Sequence, residues 1–207
     1  MEPTITTQPT DPMQSASNRG WKNIASTVAI LLIAPILAVF ITIFVFQSYE
    51  VYGMSMETTL QDGDRLIVQK LSKNWSTIRG RSYVPQRYEI VVFDKPTFLG
   101  ASSDVDHLIK RVVGLPGERV VVRDGKYTIY NNESPNGFNP DEGQEYAKDI
   151  LDTPGEVDIT VGQNEVFVTG DNRSNSLDSR NFGAVNTDAI TGVATIRFVP
   201  VNAFRRL

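Results

Sequence analysis

His107-Leu108-Ile109-Lys110-Arg111-Val112-Val113-Gly114-Leu115-Pro116-Gly117-Glu118-Arg119-Val120-Val121-Val122-Arg123-Asp124-Gly125-Lys126-Tyr127-Thr128-Ile129-Tyr130 is the stretch that decides the fold. Its runs Leu108–Val113, Arg119–Arg123 and Lys126–Tyr130 are rich in Val, Ile, Tyr and Thr and are separated by turn chemistry, the pattern of short strands. Asp124-Gly125 signals a hairpin, because the second turn position favours a residue that accepts positive φ. The same pattern recurs on either side, at Leu66–Leu71, Glu89–Phe93, Glu165–Thr169 and Thr191–Val199. A mainly β domain is therefore expected. Residues 131–164 are rich in Asn, Gly, Pro and acidic side chains, and predict an irregular insert with one short strand near Val157–Val161. No internal repeat interrupts this organisation.

Upstream the composition changes. Residues 1–22 are Thr-, Ser-, Pro-, Gln- and Asn-rich and predict a flexible tail, since they bury too little apolar surface to order themselves. Ile24 to Phe46 is a run of 23 residues without a charge. At 1.5 Å per residue it crosses a hydrocarbon core of ~30 Å, and Pro35 is tolerated in such a helix. It exceeds a signal peptide's apolar region of ~7–15 residues and no Ala-x-Ala cleavage site follows, so a retained anchor over 23–47 is expected. Arg19 and Lys22 precede the span, whereas no Lys or Arg occurs between Gln47 and Asp64. The positive-inside rule then places the N-terminus in the cytoplasm and residues 48–207 beyond the membrane, as one domain.

Composition excludes several classes. The 207-residue chain carries a formal charge of −4 with its Lys and Arg scattered, which argues against a nucleic-acid partner. It has no cysteine and a single histidine, His107, so neither a disulfide framework nor a His-pair zinc site is expected, and no cofactor or metal is implied.

The chemistry centres on two residues. Ser55 stands in Gly53-Met54-Ser55-Met56-Glu57-Thr58-Thr59-Leu60, and Lys110 opens Lys110-Arg111-Val112-Val113-Gly114. A serine hydroxyl is a poor nucleophile without a neighbouring base, and a lysine can be that base only if its surroundings keep it partly neutral. In a strand over 107–113, Leu108, Lys110 and Val112 share one face while Ile109, Arg111 and Val113 share the other. Lys110 then lies between apolar neighbours, with Arg111 pointing away. Desolvation of that kind lowers an amine pKa, by up to ~3–5 units for full burial.

Each residue also has a plain reading. Ser55 alone reads as a loop polar group or helix cap, and Lys110 as the surface end of a strand. Ser174, Ser176 and Ser179 fall in a turn-rich run where hydroxyls satisfy backbone groups. Asp178 and Arg180 read as an ion pair, and His107 is the alternative base of a Ser-His enzyme, although it lies on the strand face opposite Lys110.

Four blocks in one order weigh against coincidence: the serine segment, Gly63-Asp64-Arg65-Leu66-Ile67-Val68, the Lys110 segment, and Gly170-Asp171-Asn172-Arg173-Ser174-Asn175-Ser176-Leu177-Asp178-Ser179-Arg180-Asn181-Phe182-Gly183. With the apolar span, the chain resembles the bacterial type I signal peptidases over residues 24–200. The resemblance implies a membrane-bound serine endopeptidase with a signal-peptidase-type β catalytic domain, removing signal peptides from exported preproteins through an acyl-enzyme. It implies Ser55 as nucleophile, Lys110 as general base, Ser176 as the hydroxyl that orients the lysine, and Asp178 and Arg180 as a supporting charged pair. Gly170, Asp171 and Asn172 match the turn leading into the site. The implied partners are preproteins with small residues at −1 and −3 and the lipid bilayer of a bacterial cell membrane.

The chain departs from that family in three places. Position 58 is Thr where the serine block usually has Pro, which fixes φ. Gly53 stands where some relatives have a serine that donates to the oxyanion, leaving backbone N–H groups, that of Ser55 first, to do so. Arg87-Tyr88-Glu89 replaces Arg-Gly-Asp before the Ile90-Val91-Val92-Phe93 strand. Two other readings are weighed: a self-cleaving repressor-type Ser-Lys protease, against which the apolar span and the lack of a helix-turn-helix argue, and a catalytically silent membrane-anchored β module. Ser55 follows Phe46 by nine residues, which reach at most ~30 Å. The nucleophile is accordingly expected near the membrane surface, where a signal peptide presents its cleavage site. An extended substrate would send its −1 and −3 side chains to the same side.

Overall fold

The structure, a computed structural model, describes residues 12–70, 80, 82–96 and 107–207, with side chains described from residue 23 onward apart from 42–44. Residues 1–11 of the expected tail and Leu71 of the first expected strand lie outside the described residues. Two compact units divide the chain, the boundary falling between Ile43 and Phe44.

The first unit is one helix, α1 (Pro12–Phe44), of 33 residues with Pro35 inside it. Its window Asn23–Ile41 has a mean hydropathy of 2.7, long and apolar enough to cross a membrane. Leu31, Ile36 and Phe40 are among its exposed apolar side chains. The helix begins ahead of the 23–47 span expected from hydropathy and stops short of its end. Once an apolar helix has nucleated, each added residue gains a hydrogen bond for one pair of fixed dihedrals, so polar residues can extend it. At the other end Phe46 and Gln47 belong to a strand.

The second unit is antiparallel throughout. Its large sheet contains β1 (Phe46–Glu50), β2 (Arg65–Gln69), β3 (Ile90–Asp94), β4 (His107–Gly114), β8 (Glu165–Thr169), β9 (Val185–Asn186), β10 (Ile190–Val199) and β11 (Arg205–Arg206). The order is β1-β2-β10-β3-β4-β8-β9, with β11 also pairing β10. A smaller sheet sets β5 (Arg119–Arg123) between β6 (Lys126–Tyr130) and β7 (Val157–Thr160). The Asp124-Gly125 hairpin forms as its chemistry predicts, with φ of +50° and +75°. Within residues 131–164 the structure has β7, a 3-10 turn at Glu145–Ala147 and an isolated bridge from Phe138 to Ile129.

Strand β4 alternates as its sequence requires. Ile109 packs on the cluster of Val51, Met56, Leu60, Leu66, Ile90 and Val92, while Val112 lies with Val91, Phe93, Val168 and Ile190 and Leu108 packs against them. Each fully buried Val, Leu or Phe contributes about 1.5–3 kcal/mol. The same ladder sets Lys110 opposite Val91 and Arg111 opposite Ile90. One strand thus carries two cations to opposite faces.

Candidate active site

The Ser55 turn joins β1 to β2, two strands that pair directly, so its ends are held together. Val51 N–H donates to Asp64 O at 2.8 Å and Gly63 N–H to Val51 O at 2.9 Å, closing the base of the loop. Gly53 adopts φ +84°, and its N–H donates to Asp62 Oδ1 at 2.7 Å. A Cβ there would meet nothing within 4 Å, yet any side chain, the serine of some relatives included, would adopt the left-handed conformation at a cost of about 1–2 kcal/mol. Met56 and Leu60 anchor the turn in the core, whereas Met54 is half-exposed, which leaves Ser55 at the boundary.

Neighbouring groups hold the turn around exposed Thr58, in place of a proline. Asn172 donates its backbone N–H to Ser55 O and its Nδ2 to Met54 O, both at 3.1 Å. Arg111 Nη2 donates to Thr59 Oγ1 at 3.2 Å, while Arg205 Nη2 donates to Thr59 O at 2.5 Å. The Ser55 N–H has no acceptor among the described residues, and so is available to an incoming group.

Lys110 Nζ donates to Ser55 Oγ at 2.7 Å and to Ile109 O at 3.0 Å. The residue is 3% exposed. Burial lowers its pKa to about 8, against the opposing pull of the Asp178 and Asp171 carboxylates. An amine near 8 is appreciably neutral around neutral pH, and a neutral amine at this distance can accept the hydroxyl proton.

Arg111 does point away from Lys110, but not to solvent. It is buried, held by Asp171 through Nε–Oδ1 and Nη2–Oδ2 contacts of 2.8 and 2.6 Å, and it donates to Tyr88 O at 2.8 Å. Tyr88, which occupies the glycine position of the Arg-Gly-Asp pattern, has φ +74°.

Gly170 lies one residue beyond the Arg111–Thr169 pair of the β4–β8 ladder, and so opposite Lys110. A Cβ on it would stand 2.3 Å from Ser176 Oγ and 2.4 Å from Ser55 O, so only glycine lets the Ser55 turn approach this closely. Asp178 steadies the same glycine: its Oδ2 accepts from Gly170 N–H at 3.0 Å. Asp178 also caps the short helix Ser179–Phe182, and its carboxylate receives Arg180 Nε and Nη2, each at 2.8 Å.

Ser176 is brought to the site beside Gly170 and the Ser55 carbonyl, but its buried Oγ has no hydrogen-bond partner among the described residues. It makes no hydrogen bond to the Lys110 amine, where one was expected; that amine donates to Ser55 and Ile109. His107 Nδ1 lies 3.0 Å from Asp94 Oδ1 and its ring meets Tyr49 edge-on; no bond joins it to Ser55 among the described residues. No group of three His, Asp or Glu side chains among the described residues could hold a metal.

Sequence reasoning missed the arginine scaffold behind the turn. Arg173 is 3% exposed, donates Nε to Gly170 O at 3.1 Å and pairs with Asp141 of the insert. Tyr146, also of the insert, lies over Arg111, 4.1 Å from ring centre to guanidinium carbon. Nothing local marks Asp141 or Tyr146, because both sit in a polar stretch that reads as loop.

A β domain in which a turn-borne serine meets a buried, partly neutral amine has the equipment of a serine peptidase that uses a lysine. The comparisons are more specific: the chain belongs to the signal peptidase family, peptidase S26, whose family model matches residues 24–199. It is 35% identical to a probable signal peptidase I-2 of Synechocystis sp., over 91% of this chain and 78% of that protein. It is 33% identical to a signal peptidase I of Bacillus licheniformis, over 86% and 90% respectively. A crystal structure of a signal peptidase I from Enterococcus faecalis V583 is 30% identical, covering 53% of this chain and 95% of that one with a TM-score of 0.40.

Proposed function

We propose that this serine endopeptidase, which removes signal peptides from preproteins, does so with Ser55 as nucleophile and Lys110 as general base. The observation that carries the reading is the 2.7 Å contact between Ser55 Oγ and a buried Lys110 amine whose pKa is lowered to about 8. The neutral amine takes the hydroxyl proton as Oγ attacks the scissile carbonyl. The free Ser55 N–H supports the developing oxyanion. Collapse breaks the C–N bond, Lys110 returns its proton to the leaving amine, and water then hydrolyses the acyl-enzyme with Lys110 again as base. Ser176 supplies a hydroxyl within the site, and Asp178 with Arg180 holds Gly170 in place without performing chemistry.

The substrate presents small residues at −1 and −3, since both side chains of an extended segment turn to the same side and enter shallow pockets. The helix Pro12–Phe44 anchors the enzyme in the bacterial cell membrane, with its N-terminus cytoplasmic and residues 48–207 outside, because the flanking Arg19 and Lys22 lie on its N-terminal side. The deciding experiment incubates the full-length protein in detergent micelles with a preprotein. Cleavage is expected after the small-x-small motif, lost in Ser55→Ala and lost when the −1 Ala becomes Phe. Persistent cleavage by Ser55→Ala would remove Ser55 from the mechanism, and equal cleavage of Ala and Phe would remove the pocket.

A further inference from the structure

The insert reaches the nucleophile through two arginines. Asp141 binds Arg173 with both oxygens, Oδ2 to Nη1 at 2.5 Å and Oδ1 to Nη2 at 2.6 Å, in a pair whose side chains are 13% and 1% exposed. The same carboxylate accepts the Tyr146 hydroxyl at 2.9 Å, and the Tyr146 ring covers Arg111. Each arginine extends to one residue of the 170–172 turn. Arg173 Nε donates to Gly170 O at 3.1 Å, and Arg111 holds the Asp171 carboxylate at 2.6 Å. The third residue, Asn172, grips the carbonyls of Ser55 and Met54.

We propose that Asp141 and Tyr146 are positioning residues for the reaction: by fixing Arg173 and Arg111 they hold the 170–172 turn, and so keep Ser55 against the Lys110 amine. The proposal rests on the assignment of Ser55 and Lys110 given above. A guanidinium cannot shed its charge, so a buried arginine that loses its carboxylate draws in water or turns to another acceptor. For Arg173, 1% exposed as a side chain, either response moves the group that fixes the Gly170 carbonyl. Gly170 is in turn packed so closely on Ser55 O that displacement passes to the nucleophile. A misplacement of about 1 Å at reacting atoms costs on the order of a hundredfold in rate. Tyr146 acts at the other arginine by a different contact: its ring lies over the Arg111 guanidinium, and burial together with Asp141 raises its hydroxyl pKa, so it stays a donor.

The test uses the full-length protein in detergent micelles with a preprotein, with kcat expressed per serine labelled by an acylating probe, so that unfolded molecules do not count. Asp141→Asn is expected to lower kcat by about ten- to a hundredfold with KM within about twofold, leaving the acidic limb of the pH profile where Lys110 sets it. Tyr146→Phe, which keeps the ring over Arg111 and loses only the hydroxyl, is expected to lose less than Tyr146→Ala. The Asp141→Asn/Tyr146→Ala double variant should be worse than either single change, because each releases a different arginine. Lys148→Ala, an exposed change on the same insert, should leave kcat and KM unchanged. Unchanged kcat per labelled serine in Asp141→Asn with a lowered Tm would overturn the proposal, making Asp141 a stability residue alone. A raised KM with unchanged kcat would overturn it as well, making the insert a substrate-binding element. If Asp141→Asn fails to fold, Tyr146→Ala decides by the same criteria. Ser55→Ala, run alongside, tests the underlying assignment separately, because its inactivity stands whichever way the insert variants behave.

Discussion

At the scale of single residues, the Lys110 amine, in its proposed role as base, makes a prediction about pH. Its pKa is lowered by burial to about 8, so the catalytic rate should rise with pH through about 8 and level off above it. The same depression has a sign in stability. Below about 8 the unfolded chain binds no more protons at this site than the folded one, but charging the amine in the folded state is unfavourable. Between about 8 and the unfolded lysine value near ~10.4 the unfolded state binds more, so stability rises with pH across that window. Lys110→Met should abolish cleavage and flatten this rise, which urea titrations at pH 7 and pH 10 would reveal. Lys110→Arg should be inactive because a guanidinium stays protonated; substantial activity in it would end the general-base assignment. Gly170→Ala should lose at least about tenfold in kcat, since its Cβ falls 2.4 Å from Ser55 O and must push the nucleophile turn away. That Ser55 and Lys110 should meet was legible because their motifs are local and the proposed chemistry demands those residue types. The lack of a Ser176–Lys110 bond was not legible, since it depends on how a hydroxyl and an amine settle after the chain has folded.

Secondary-structure elements repeat that division. The eight expected strands lie within a residue or two of their β-branched runs, because alternation and turn residues are read within a few positions. Strands β1, β9 and β11 escaped notice: β9 and β11 are two residues each, while Phe46-Gln47-Ser48-Tyr49-Glu50 follows directly on an apolar run and acquires its role only by pairing with β2. Likewise the burial of Arg111 could not be seen, since its partner Asp171 is 60 residues away and its cover, Tyr146, comes from an insert without periodicity. The nucleophile turn itself is an element held from outside, chiefly by Asn172. Asn172→Ala removes the Nδ2 donor to Met54 O while keeping the backbone bond to Ser55 O. One such bond is worth about 1 kcal/mol, so kcat should fall about five- to tenfold with KM little changed. An unchanged kcat would mean that Arg205 and Arg111 hold the turn without it.

For the whole molecule, the charge asymmetry around the apolar helix makes a prediction about sides. Protease added outside intact spheroplasts should digest residues beyond Phe46 and spare an epitope placed at the N-terminus, while protection of the β domain would reverse the orientation. The two cations of β4 extend a consequence to the life of the enzyme. Lys110 and Arg111 are neighbours in sequence and face opposite ways, so a strand paired one residue out of step would offer Ser55 a permanent cation in place of a titratable amine. With Lys110 as the proposed base, proteolytic competence should arrive only with the correct β3–β4–β8 ladder. Copies whose ladder is not yet paired would then be unable to cleave, so hydrogen-bond register doubles as the switch that turns the enzyme on.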